Sequence, residues 1–220
     1  MKSKIKTILF DFDGVLVPNT PQMFVDLTYQ VVNRHTYLAK ETILQYFRSA
    51  VSFSPWEAIQ FFFHELGIES LLSEIKDEHQ KNTINNSNFK NMIDQDFYSI
   101  IALLDLKGIQ WKIVSLGSNE TLQKIFSIKS ENIYDLKRQS KANPKTFETL
   151  ATSQMLRPEE CLLIDDGILA LRAAKLTGIN TTFMQNNFYG TEEHYQFYEE
   201  IVDHRVFNMK ELKDYISQIS

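Results

Sequence analysis

Apolar positions along the chain fall into short runs that alternate with longer periodic stretches. Ile5 to Phe10 is a compact apolar run followed by the turn residues Asp13 and Gly14, the pattern of a buried strand that ends in a loop. From about Pro21 to Leu72 the spacing becomes helical. The segment WEAIQFFFHELGI carries its apolar residues at helical intervals and reaches Gly67, a helix stop. Trp56, Phe61, Phe62 and Phe63 are expected to form the core of this helical region. Lys81 to Asn91 is polar and rich in asparagine, and reads as a linker or hinge.

Beyond the linker, helix and strand patterns take turns. Phe97 to Leu106 predicts a helix stopped by Gly108, and Trp111 to Ser115 a strand followed by the turn LGSN and a helix from about Glu120. Ile133 to Leu136 reads as a short strand, and Pro144 to Met155 as a helix with proline in its first turn. Cys161 to Ile164 is a strand running into Asp165, Asp166 and Gly167. Leu169 to Leu176 is a helix closed by Gly178, and Thr181 to Met184 a further strand. Arg205 to Phe207 and Lys210 to Ile216 supply a last strand and helix; residues 185 to 203, aromatic and acidic, fit no element. This alternation predicts parallel βαβ units with helices on both faces of one sheet. The helical stretch after the first strand breaks the alternation, so it reads as an insert. The expected division is an α/β core of residues 1–15 and 92–220, with a helical cap of residues 16–91.

Composition narrows the function classes. The 220 residues suffice for one core and a substantial insert, and a formal net charge of -5 argues against a nucleic-acid carrier. The single cysteine, Cys161, cannot form an internal disulfide and sits among apolar neighbours, as a packing thiol would. The first apolar run is cut short by Asp11 and Asp13, too early for a signal core, and no stretch is long and uncharged enough to span a membrane. A soluble, cytoplasmic protein, monomer or homodimer, is expected.

Four segments stand at predicted strand ends: DFDGV from Asp11, SLGSN from Ser115, KANP from Lys141 and IDDG from Ile164. In a parallel open sheet these ends gather along one edge. They bring carboxylates, hydroxyls, one amine and glycine-turn amides to one place. Clustered carboxylates repel one another unless some are protonated or a cation lies among them, and hard oxygen donors suit magnesium. A lysine facing the same point would hold a phosphate as a point charge. The five histidines show no metal-ligand spacing. Taken singly, each residue has a plainer role: Asp165 and Asp166 as helix caps, Ser118 as an N-cap, Arg48 as a solvated helix arginine.

Taken in order, the four segments resemble the motifs of the haloacid dehalogenase-like hydrolase superfamily. ILFDFDGVLV is similar to its first motif and IVSLGSN to its second. KANPKTF resembles the third, and RPEECLLIDDGILALRAAKLTGI the fourth over more than twenty residues. With the insert after the first motif, the chain resembles the branch containing phosphoglycolate phosphatase and β-phosphoglucomutase. The resemblance implies a Rossmann-like parallel sheet core, an inserted α-helical cap, Mg2+ as cofactor and a small phosphorylated metabolite as substrate. It also implies roles. Asp11 is the nucleophile, and Asp13 the general acid and base. Ser115, Gly117 and Lys141 hold the phosphoryl group. Asp166, helped by Asp165, binds magnesium with Asp11 and the Asp13 carbonyl. Arg48 is placed to reach a substrate from the cap. The chain departs from the family pattern at Ala142, Gly167 and Ala170, and its linker lacks the usual Pro-Gly.

The expected activity is phosphomonoester hydrolysis through an aspartyl-phosphate. The nearest alternative is a phosphomutase, which shares every core motif. A dehalogenase is disfavoured by Asp13. A binding module phosphorylated on aspartate, of the receiver kind, carries its acidic pair on the first strand, whereas here the pair comes last.

Overall fold

The computed structural model describes residues 4–49, 55–84, 93–115, 122–123, 129–136, 139–185, 188 and 200–219. Among the described residues six strands form one sheet: β1 (Thr7–Phe10), β2 (Gln110–Ser115), β3 (Ile133–Asp135), β4 (Cys161–Asp165), β5 (Asn180–Met184) and β6 (His204–Val206). Every pairing is parallel and the order is β3-β2-β1-β4-β5-β6. The chain leaves β1 toward one half of the sheet and β4 toward the other, so a crevice opens between them at their carboxyl ends.

The two central strands, β1 and β4, are buried on both faces, which explains their apolar runs. Along β1, Ile8 and Phe10 face one cluster and Leu9 the other, the period-two alternation of a strand. The first cluster takes Phe97, Ile100 and Leu104 from α5 (Gln95–Lys107) and Leu212 and Ile216 from α8 (Met209–Ile219). The second takes Phe147 and Leu150 from α6 (Pro144–Ser153) and Leu171 and Ala174 from α7 (Ile168–Leu176). Cys161 lies in the second cluster, where burial pushes its thiol up to about 12.

Helices α1 (Thr20–Val32), α2 (Lys40–Ser49), α3 (Pro55–Leu66) and α4 (Leu72–Ile84) build the inserted cap around a third apolar cluster that includes Phe24, Val31, Ile43, Phe47, Ile59, Phe63 and Ile75. Phe62 is buried there and Trp56 packs at its margin, but Phe61 is 49% exposed. Three consecutive helical residues sweep about 200° around the axis, so they cannot all face one core. α4 runs on to Ile84, so the first residues of the expected linker are helical. The helix expected to end at Met155 stops at Ser153, and Met155 itself adopts a left-handed φ of 52°. The helix expected from about Glu120 lies almost wholly outside the described residues, as do most of 185–203 and the second half of the linker.

Candidate active site

Strand register assembles the site before any side chain is considered. Phe10 pairs with Ile164, so Asp11 and Asp165 emerge side by side from adjacent central strands. The Asp11 amide continues the ladder, donating to the Ile164 carbonyl at 2.9 Å. Phe10 pairs on its other side with Ile113, and Ser115 lies two residues farther along β2, 1% exposed. β4 continues through Asp165, one residue past the expected strand end, and the helix that follows is N-capped by Gly167 with no side-chain cap. Asp165 Oδ1 accepts from the Gly167 amide at 2.7 Å, which pins its orientation.

Asp11, Asp165 and Asp166 are all buried, and one carboxylate oxygen from each lies within 4.8 Å of the others. Lys141 joins them from the loop before α6. Its ammonium pairs with Asp11 and with Asp165, the latter at 3.0 Å, and its side chain is only 11% exposed. The loop is set by Asn143, whose side chain accepts from the Lys145 amide, and by Pro144 in the first turn of α6. Asp11 Oδ1 also accepts from the Phe12 amide at 2.6 Å.

The turn after Asp11 is tight. Gly14 has φ of 80°, and its amide donates to the Val17 carbonyl at 3.1 Å. A Cβ on Gly14 would lie 1.8 Å from Asp166 Oδ2. The fourth carboxylate, Asp13, sits across this turn, partly buried and close to Thr20.

Burial and charge decide how these groups titrate. Asp11 is held well above the ordinary carboxylate value, first by desolvation and then by Asp165, against the pull of Lys141. Desolvation likewise raises Asp13 to about 6, with Lys141 and Thr20 opposing. Burial works against the charged form of Lys141, but Asp11 and Asp165 more than offset it and hold the ammonium charged. Four carboxylates thus face one amine. A buried, oxygen-only trio of this kind fits a divalent cation, held by Asp11, Asp165 and Asp166, and no histidine takes part among the described residues.

A family model for haloacid dehalogenase-like hydrolases matches residues 5–178. The chain belongs to this family. Its members generally use a divalent metal, in keeping with the aspartate trio. Solved structures of the same fold cover nearly its whole length. One is a haloacid dehalogenase family hydrolase from Deinococcus radiodurans with bound phosphate and sodium, at 16% identity, covering 98% of this chain and 96% of that one with a TM-score of 0.70. Another is β-phosphoglucomutase from Clostridium difficile, at 16% identity, 97% and 96% coverage and a TM-score of 0.70. A third is CbbY from Rhodobacter sphaeroides in complex with xylulose-(1,5)bisphosphate, at 17% identity, 94% and 96% coverage and a TM-score of 0.70. No curated protein matched the sequence.

In this haloacid dehalogenase-like hydrolase the residues expected at the site divide three ways. Asp11, Lys141, Asp165 and Asp166 come together, with Ser115 at the end of the neighbouring strand. Gly117 lies outside the described residues. Arg48 donates from Nε to the Phe188 carbonyl at 2.6 Å. Gly14 was missed as a site residue, although a glycine closing the Asp-Phe-Asp run was the signal for a close backbone approach. No described helix is long and apolar enough to cross a membrane.

Proposed function

We propose that the chain is a magnesium-dependent phosphatase that hydrolyses a small phosphorylated metabolite through an aspartyl-phosphate on Asp11. The observation that carries this reading is Lys141, buried and paired with both Asp11 and Asp165 where the three aspartate oxygens converge. A carboxylate nucleophile and a phosphate repel each other, so attack needs fixed positive charge at the same point. Lys141 and Ser115 would hold the phosphoryl oxygens. Asp11, Asp165, Asp166 and the Asp13 carbonyl would hold magnesium, which when bound offsets negative charge on the phosphoryl group.

In the first step a carboxylate oxygen of Asp11 bonds to phosphorus and the ester P–O bond breaks. Asp13 gives its proton to the departing alkoxide. In the second step Asp13, now ionised, takes a proton from water as the water oxygen attacks phosphorus. The bond to Asp11 breaks, releasing inorganic phosphate and the free carboxylate. A group poised at about 6 is suited to both duties near neutral pH. The separate apolar clusters of sheet and cap support a division near 1–15 and 92–220 for the core and 16–91 for the cap, with Leu16, Val17 and Ile93 packed on the sheet side.

A panel of phosphate monoesters with and without magnesium, including p-nitrophenyl phosphate and sugar and short-acid phosphates, tests the proposal. Magnesium-dependent phosphate release supports it. Activity on a haloacid alone would overturn it. Isomerisation of a hexose monophosphate without phosphate release, in the presence of a bisphosphate primer, would establish the phosphomutase instead.

A further inference from the structure

The cap is joined to the sheet domain by two chain crossings, and these lie together: the Asp94 amide donates to the Leu16 carbonyl at 3.2 Å. Two adjacent crossings form a hinge, and a body held only by a hinge is free to turn about it. A third connection exists that is not covalent. Phe188 follows β5 in the sheet domain, yet it is 7% exposed and belongs to the cap's apolar cluster with Phe24, Phe47 and Phe62. Its carbonyl accepts from Arg48 Nε at 2.6 Å, a charge-assisted bond from the last turn of α2. Between hinge and anchor lies a cleft of about 400 Å³, bordered by Pro18, Asn19 and Asp94 at the crossings and by Gln185, Phe188 and Asn208 beyond β5 and β6. The third point is therefore set apart from the hinge.

We propose that Phe188 and Arg48 are positioning residues that pin the cap at a fixed angle over the catalytic edge, so that the cap opens by withdrawal of the Phe188 ring rather than by free rotation. Rotation about the hinge would pull an aromatic ring out of an apolar cluster and strip Arg48 of its acceptor. Each loss opposes opening. The pin ties cap geometry to residue 188, outside all four strand-end segments.

Spin labels on Tyr37→Cys in the cap and Met155→Cys in the core, both at highly exposed positions, report the angle as a distance distribution. The native thiol Cys161, 1% exposed, is replaced by alanine in the background. The pinned parent is expected to show one narrow distribution. Phe188→Ala and Arg48→Met are expected to widen it toward longer distances, while Phe188→Leu and Arg48→Lys restore the narrow form. Circular dichroism of each variant separates cap motion from cap unfolding; should Phe188→Ala unfold, the Arg48 pair decides. A distribution that stays narrow in folded Phe188→Ala and Arg48→Met overturns the proposal. So does one that stays wide in both conservative variants. The measurement requires no turnover, so it stands or falls apart from the phosphatase assignment.

Discussion

Gly14 and Asp166 compete for the same space: a methyl group on Gly14 would sit 1.8 Å from the Asp166 carboxylate oxygen. The first motif is therefore fitted to the fourth by close approach of backbone to carboxylate, and Lys141 pairs with an aspartate of each. Gly14→Ala should displace Asp166 and weaken metal binding by roughly 10- to 100-fold, the size of effect seen when a ligand loses its support. Gly67→Ala is the matched control. It has a similar φ of 66° but nothing within 4 Å of the new Cβ, so it should carry the backbone strain without the metal defect. Isothermal titration of magnesium into both variants checks this, and equal defects would mean that strain alone is responsible.

Asp11 and Asp13 should separate by mutation. Asp11→Asn should abolish turnover and adduct formation, since an amide does not attack phosphorus. Asp13→Asn should keep magnesium binding and lose about 10²- to 10⁴-fold in turnover of alkyl phosphates. With p-nitrophenyl phosphate, whose leaving group needs little acid assistance, Asp13→Asn should accumulate a phosphate adduct on Asp11 detectable by mass spectrometry. An adduct on any other residue would reassign the nucleophile.

Lys141→Met should leave the buried carboxylates without their cation. Turnover should fall by about 10²- to 10³-fold, the scale of losing one charge-stabilising donor. Steady-state kinetics at saturating magnesium test this, and near-parent activity would remove Lys141 from the phosphoryl site.

Stability should depend on pH in a direction set by the same cluster. Asp11 and Asp13 both titrate higher in the fold than the ordinary value of 3.8, Asp13 at about 6. The folded state thus holds protons that the unfolded chain has released, and stability falls as pH rises through that window. Metal-free protein should lose melting temperature between about pH 4 and 8 from these groups, and magnesium should recover most of the loss at the upper end. Melting curves in chelator and in magnesium across this range provide the check.

The aspartate-bearing edge was legible because its residues sit where an apolar run stops. Asp11, Ser115 and Asp165 need only the rule that parallel strands share a carboxyl edge, and β1–β4 register then places the aspartates side by side. What was not legible depends on contacts between distant segments. Phe61 reads like its neighbours in a composition count, and only the turn of the helix exposes it. Phe188 lies in a stretch without periodicity, and its partner is a cap arginine 140 residues away. Asp165 and Asp166, adjacent and chemically alike, part company only once Lys141 and the Gly167 amide are seen to engage Asp165.

The placement of β1 has a consequence for how the molecule comes into being. The strand is made first yet lies in the middle of the sheet, and its two neighbours begin at Gln110 and Cys161. During synthesis it waits, an unpaired apolar ribbon, while the intervening helices can already pack on one another through contacts nearer in sequence. The sheet can close only when β4 emerges, and that strand also brings Asp165 and Asp166. Asp11 is thus made before both strands that flank it, and the aspartate cluster comes together only once β4 has emerged, with β5 and β6 still to follow.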